Sequence, residues 1–470
     1  MKPAPRTRPA AVPPKRSESP SRIAGFPTAT RALAVVLLLA LCARLAVLWQ
    51  LHAHPLLQPR PGLDGEAYLA LARLVTGGDL LAGDQVYFLS PFYIYFVALV
   101  LTLSGGSVFA VLLAQVALGT AAVWLVARTA GLWFGERGAL AAAVLATCTG
   151  YFAFNEILVL QSAVDPFLTA LGLSLLARAW CSGRPVYFLA AGAAVGFHVL
   201  NRPNVLAWAG VAVVATVAGE WWLRYAECRM QNAKCKMQDA ARGAAPGSLV
   251  RRSQAVRVPR PAAALVAGIV LVLAPVALRN YAVAGQLAIV SSHGGLNFYI
   301  GNHAEANGTY KNIPGITPSV AGQITDMRRA AGQALGRDVT DVEASEWFYS
   351  RARSWIREQP GAAAALFAKK IAFVFNATDI PLNESYAYYA TDESRVLRLM
   401  FPGAWLLLPL GLAGIWLGRP REQGRPAAAW WSLALFVPVY GVSVAAFFVT
   451  GRYRLPLLVA ACVFAPGAIL

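Results

Sequence analysis

Apolar residues occur along this chain in long blocks separated by short polar breaks, at 32–51, 108–127, 139–154, 157–177, 186–200, 205–223, 262–278, 397–417, 427–449 and 455–470. Most approach the roughly 20 residues a helix needs to cross a ~30 Å hydrocarbon core. Lipid offers no partner to an open sheet edge. The pattern therefore predicts an all-α polytopic membrane protein of about ten transmembrane helices plus interfacial helices. One surface helix is assigned to 86–104, "VYFLSPFYIYFVALVLTLS", starting at Pro91 and either interfacial or re-entrant. A second apolar stretch, 362–375, follows an amphipathic one at 345–357, and is also expected at the interface.

Composition agrees with lipid as solvent: 57% of residues are hydrophobic and 14% charged, with mean hydropathy +0.52, against about 25% charged in soluble domains. Net charge is +18, which in a soluble protein would suggest nucleic acid. Here the basic residues gather in short loops at 128–137, 178–184, 225–260 and 419–425, so they set topology and no nucleic-acid partner is expected. If 86–104 crossed the bilayer, the loops from Arg128 to Arg260 would move to the outside, which is why that segment is assigned a non-spanning place.

The expected organisation is a disordered basic cytoplasmic tail (1–30), an N-terminal transmembrane module (31–279), an outer segment (280–396) and C-terminal helices (397–470). The N-terminal module contains the first outer loop at 52–106 and a basic cytoplasmic loop at 224–260. The last apolar run has about sixteen residues, short of the usual ~20, so a truncated C-terminus is expected. Cys42, Cys148 and Cys462 lie in apolar runs and Cys181, Cys228 and Cys235 in basic loops, which implies no disulfide framework. The period-seven repeat "CRMQNAKCKMQ" reads as an insertion rather than a metal site. An excess of Arg over Lys and the lack of a large lumenal domain favour a bacterial inner membrane.

Candidate chemistry collects on the outer side. Asp64 is expected at the N-cap of a helix whose apolar stripe is Ala67, Tyr68, Leu71, Leu74 and Val75. Capping and catalysis are compatible, since a fixed carboxylate makes a better general base. Arg202, Arg279, Lys369, Lys370, Arg452 and Arg454 all lie at outer ends of helices, against the positive-inside bias. Any one of them could snorkel to headgroups, but a lipid phosphate accounts for the set, because arginine forks match phosphate oxygens. A sugar on a polyprenyl phosphate carries its own anionic leaving group. What remains is to deprotonate the acceptor as it attacks the anomeric carbon, a task for one carboxylate acting by single inverting displacement.

Several other residues have two readings. Glu156 is either a carboxylate facing the site or a solvated turn residue. Asp165, isolated in an apolar run, needs an internal partner, and Pro166 permits a helix break beside it. Asn297, Tyr299 and Asn302 in "GGLNFYIGNHAEANGTY" either contact sugar or pack the loop. His293 and His303 are poor evidence for a metal. The Asn-x-Ser/Thr triplets at Asn307, Asn376 and Asn383 matter only in a eukaryotic lumen.

"DGEAY" (64–68), "SPFYIYF" (90–96), "AVDPF" (163–167), "NRPN" (201–204), "RNY" (279–281), "GGLNFYIGN" (294–302) and "GRYRLP" (451–456) in this order resemble the GT-C membrane glycosyltransferases over roughly residues 31–470. The chain is most similar to the protein mannosyltransferase and lipid A aminoarabinose transferase group. The resemblance implies a polyprenyl-phosphate sugar donor and a catalytic acid in the first outer loop four residues before a Tyr, which is Asp64 before Tyr68. Many members have an acidic residue directly after that Asp, whereas this chain has Gly65 and then Glu66. That leaves Glu66 as support for Asp64, a metal contact or an acceptor contact. No cofactor is required, and a divalent metal is the one group left open. The acceptor, whether protein, lipid or glycan, is not legible. Two rivals stand: a transporter or flippase, which predicts internal symmetry and broken helices at mid-membrane, and a ligase or polymerase using a pyrophosphate carrier.

Overall fold

The structure is a computed structural model that describes residues 31–241 and 259–470 and, within α8 below, no side chains beyond Met230. The tail (1–30) and residues 242–258 of the expected 224–260 loop lie outside the described residues, as does the side chain of Cys235; the first part of that loop continues α8 as helix to Ala241. Every described element is helical.

From the N-terminus, α1 (Arg31–Leu51) is followed by α2 (Asp64–Thr76) and α3 (Pro91–Leu103) of the 52–106 loop. Then come α4 (Val108–Cys148), α5 (Gly150–Glu156), α6 (Asp165–Ser182), α7 (Pro185–Asn201), α8 (Val205–Ala241) and α9 (Arg260–Ala284). The polar segment forms α10 (Gly294–Gly301), α11 (Val320–Leu335), α12 (Asp341–Glu358), α13 (Pro360–Phe375) and the short α14 (Tyr386–Tyr388) and α15 (Arg395–Leu399). The last described helices are α16 (Ala404–Leu417), α17 (Arg425–Ala434), α18 (Phe436–Ala445), α19 (Leu455–Phe464) and the short α20 (Pro466–Ile469).

Among the described residues, five helical stretches are long and apolar enough to cross a membrane: α1, α4, Val205–Met230 of α8, α9 and the joined Arg425–Ala445 of α17 and α18. This is an integral membrane protein. The apolar runs do not map one to one onto helices. The 41-residue α4 carries both 108–127 and most of 139–154, broken at Gly135, whose φ of 62° is one that glycine adopts without a steric penalty. In the 157–177 run a short 3-10 turn, Gln161–Ala163, precedes α6, which begins at Asp165 with Pro166 in its first turn, where the missing N–H is not needed. Within 86–104, α3 has 13 residues and is about 20 Å long at 1.5 Å per residue, too short to cross alone. In the 280–396 segment, α12 begins with a capping box, Thr340 and Glu343 exchanging hydrogen bonds across the first turn.

Two apolar cores result. One lies within the bundle around Trp180, Trp208 and Trp430. The other joins the 52–106 loop to the polar segment, with Tyr68, Tyr93, Phe154, Leu296 and Phe348 buried together. Backbone bonds stitch these regions: Val320 N to Gly62 O (3.0 Å), Ser292 N to Tyr87 O (2.9 Å) and Gly451 N to Ile380 O (2.7 Å). Residues near 60, 290, 320 and 450 are thereby fixed over one end of the bundle.

Candidate functional site

Asp64 is not the N-cap of its helix. Leu63 holds that place without a side-chain bond, and Asp64 is the first helical residue. Its carboxylate is thus not spent on its own backbone, although it sits where the helix dipole favours an anion. Arg452 Nη2 donates to Asp64 Oδ2 at 3.1 Å, with the two side chains 13% and 25% exposed. Tyr68, Leu69 and Ala72 form the buried face of α2, while Leu74 of the expected stripe is exposed. Gly65 has a packing reason: a Cβ there would meet Val159 O at 3.2 Å and Pro59 Cβ at 3.7 Å. The acidic residue that many relatives place after the aspartate would crowd that carbonyl. Glu66, one position on, is exposed and makes no hydrogen bond or ion pair.

Arg452 belongs to the 3-10 turn Gly451–Arg454 that leads into α19. A Cβ at Gly451 would collide with the Tyr151 hydroxyl and Asp379, so this close approach requires glycine. Besides its bond to Asp64, Arg452 keeps a buried Nε without a partner. Its guanidinium lies 5.8 Å from the Tyr453 ring. Glu384 completes this acidic and basic group. Burial raises its pKa, Arg452 opposes the shift and Asp64 adds to it. Sequence reasoning missed Glu384, which it met only inside a short glycosylation triplet.

Beside this group lies a cavity of about 1110 Å³. One wall is apolar, from Leu206, Ala207 and Val211 of α8 and Val439 and Val442 of α18. The polar end presents Tyr68, Ser90, Gln161, Arg202, His293 and Asn297. Asp64 borders this end: it precedes Tyr68 by one helical turn and acts electrostatically on both Tyr68 and His293. Tyr68 donates to Gln161 Oε1, and the Ser90 amide donates to Tyr68 Oη at 3.3 Å.

The other predicted cations are distributed differently. Arg202 faces the cavity but grips Asp165 through Nε, at 2.6 Å, and Nη2, and Asn201 Nδ2 donates to the same carboxylate at 2.7 Å. Asp165 thus has its internal partner, and Arg202 Nη1 is left without a hydrogen bond. Arg279 sits on Tyr87, 4.0 Å from the ring centre, and donates to the carbonyls of Leu81, Gln85 and Gly83. Arg454 donates to the carbonyls of Asn376 (2.9 Å) and Thr378 (2.7 Å). Lys370 is buried, donating to Gly301 O at 3.1 Å and Asn302 Oδ1 at 3.0 Å, and Lys369 is exposed. These four are not brought to the cavity.

Glu156 is no solvated turn residue. It is fully buried against Arg44 of α1 at 2.8 Å, over Gly119, whose missing side chain leaves the space. Asn302 donates to Phe298 O and Ala446 O, both at 2.8 Å, and Tyr299 packs on His303 and Phe348. Only Asn297 of that trio lines the cavity. Among the described residues no three His, Cys, Asp or Glu side chains converge. Asp64 also has a guanidinium for its neighbour, a donor set that does not suit a divalent cation.

Residues 89–226 match the family described as "Dolichyl-phosphate-mannose-protein mannosyltransferase". Three of the motifs that carry the resemblance, at 90–96, 163–167 and 201–204, fall inside that stretch, and Asp64 precedes it. No curated protein matches the chain. Similar solved structures include the Archaeoglobus fulgidus oligosaccharyltransferase complexed with Zn and sulfate, at 15% identity and TM-score 0.44, over 93% of this chain and 48% of that one. A second is the same organism's oligosaccharyltransferase AglB with an inhibitory peptide and a dolichol-phosphate, at 14% identity and TM-score 0.41, over 93% and 50%. A third is ArnT from Cupriavidus metallidurans bound to undecaprenyl phosphate, at 16% identity and TM-score 0.36, over 92% and 78%. The chain spans about half the length of the oligosaccharyltransferases it matches.

Proposed function

We propose that this protein is an inverting membrane glycosyltransferase that moves a sugar from a polyprenyl-phosphate carrier to an acceptor on the outer face of a bacterial inner membrane. The observation that carries the reading is the Asp64 carboxylate, free of its own helix and held by Arg452 beside the polar end of a long apolar cavity. The apolar wall suits a polyprenyl chain. The polar end, with the unused donors of Arg452 and Arg202 nearby, suits the phosphate and the sugar.

In the reaction, an acceptor O–H gives its proton to Asp64 as its oxygen bonds to the anomeric carbon from the face opposite the phosphate. The bond from that carbon to the phosphate oxygen breaks, and the carrier leaves as an anion stabilised by the guanidinium groups. Configuration inverts because there is a single displacement. Arg452 serves both halves, orienting Asp64 with one nitrogen while others remain available to the phosphate. The match over residues 89–226 supports the reaction class. Sidedness rests on the basic loops opposite to this end of the bundle.

The test is sugar release in proteoliposomes offered labelled polyprenyl-phosphate sugars, with wild type and Asp64→Asn in parallel. The substitution should lower turnover by about 10²–10⁴-fold and leave carrier binding within a few-fold. Full turnover by Asp64→Asn would overturn the assignment. Label that crosses the bilayer untransferred would replace it by a transporter, and activity confined to pyrophosphate-linked donors by a ligase or polymerase.

A further inference from the structure

The turn Gly451–Arg454 stands between two spaces. Tyr453 lines the large cavity, whereas Thr450 and Arg452 line a second pocket, of about 20 Å³, on the side of α5. The wall of that pocket also includes Asn155 of α5, Leu158 and Leu160 just after it, and Glu384. One water-sized group needs ~10–15 Å³, so the pocket accepts a single hydroxyl and no sugar ring.

Two buried polar atoms at this pocket have no partner. Thr450 is 1% exposed and is the N-cap of the turn, yet its Oγ1 makes neither a capping bond nor any other hydrogen bond. Arg452 Nε is likewise buried and unpaired. Leaving such atoms unpaired is costly, and one small group in the pocket meets both. Nε and Nη2 form one edge of the planar guanidinium fork, and Nη2 donates to Asp64 at 3.1 Å. A group that accepts from Nε therefore lies beside the Asp64 carboxylate.

Charge does not select the occupant, because both signs surround it. Glu384 and Arg452 line the pocket, Asp64 and Arg60 act on Glu384 from outside, and Asp379 and Arg454 act on Tyr151 behind it. Size and hydrogen bonding select instead. Glu384 accepts, Arg452 Nε donates and the Thr450 hydroxyl does either. A hydroxyl, donor and acceptor at once, satisfies all three. A carbonyl oxygen leaves Glu384 without a donor, and an ammonium group leaves Arg452 Nε without an acceptor.

Resting on the transferase reading above, we infer that this pocket is an acceptor subsite, which takes a second hydroxyl of the acceptor next to the one that Asp64 deprotonates. The acceptor is then a vicinal diol, as in a glycan, and not a lone alcohol such as a serine side chain. The second hydroxyl stays intact; it orients the first. A single displacement needs acceptor and phosphate on opposite faces of the sugar, and the 451–454 turn separates the small pocket from the large cavity.

The experiment offers the full chain in proteoliposomes the labelled polyprenyl-phosphate sugars of the preceding test, with cyclohexanol and cyclohexane-1,2-diol in one sample at equal hydroxyl concentration. The readout is the ratio of the two labelled glycosides, which is internal and does not depend on the folded fraction or on total turnover. Wild type should favour the 1,2-diol about ten-fold, the worth of one or two ordinary hydrogen bonds. Cyclohexane-1,4-diol, whose hydroxyls stand on opposite sides of its ring, should show no such preference. Thr450→Val should reduce the ratio to about two-fold or less, Thr450→Ser should keep it, and Glu384→Gln should lower it part way. A wild-type ratio near one, or a ratio undiminished in both Thr450→Val and Glu384→Gln, would overturn the proposal alone and leave the pocket to water. Label released to water and to neither alcohol would overturn it as well. Label that stays on every carrier would overturn the transferase reading and this one with it.

Discussion

Two arginines hold the loop at 52–106, and they are used in different ways. Arg279, at the end of α9, donates to the carbonyls of Leu81, Gly83 and Gln85 and covers the Tyr87 ring. Arg452, in the turn before α19, makes one side-chain bond, to Asp64, and keeps a buried Nε unpartnered. The first closes a loop; the second holds a carboxylate and retains donors for something else. Read from sequence, both are simply cations on the outer side, and snorkelling or phosphate binding would explain either. The difference lies in how many of their hydrogen bonds the protein itself consumes. By that measure Lys370 belongs with Arg279; Arg454 has both Nη atoms taken by the 376–378 segment but, like Arg452, a buried Nε without a partner; and Arg202 stands between, gripping Asp165 while facing the cavity.

The sharpest way to break this comparison is to truncate both arginines. Arg452→Ala should cost about 10³-fold in turnover with correctly folded protein, as expected for removing a charge that stabilises a leaving anion. Arg279→Ala should lower thermal stability and leave turnover per folded molecule within a few-fold, as measured by activity normalised to the monodisperse fraction. Equal losses of turnover would erase the distinction. Arg202 sharpens it: Asp165→Asn leaves a buried guanidinium without its counter-charge and should destabilise the fold by about 3–5 kcal/mol, seen as a drop in unfolding midpoint. A double change to Asp165→Asn with Arg202→Met should recover part of that loss.

The smallest expected effect concerns His293, whose folded-state pKa is depressed from 6.5 to about 4 by burial. Between these values the unfolded chain binds the proton and the folded one does not, so stability rises with pH. The contribution is full above about pH 6.5 and is lost as pH falls toward 4. Thermal unfolding followed across that window should show the slope, and His293→Gln should flatten it.

Much of the fold was legible because its physics is local. Long apolar runs specify membrane helices whatever they pack against, and Pro91 and Pro166 mark helix starts for steric reasons, whereas the break at Gly135 inside α4 is legible only as a basic loop. The Asp64 and Tyr68 pair was legible for a similar reason, since their four-residue spacing on one helix is set by its pitch. The N-cap assignment of Asp64 failed because the chain enters α2 through Leu63, and Arg452, 388 residues away in sequence, takes the carboxylate instead.

The sequence by itself determined an all-helical membrane protein and pointed to the 52–106 loop, the 280–396 segment and the 451–454 turn for its polar chemistry. Only the tertiary structure decided which charges are consumed. It paired Arg44 with Glu156 and Arg202 with Asp165, turned Arg279 onto a loop, and brought Glu384 to Arg452 and His293 to the cavity. The reason is that a residue's type fixes how many hydrogen bonds it can make, whereas the partners that use them come from other chain segments, 37 residues away for Arg202 and Asp165 and 388 for Arg452 and Asp64.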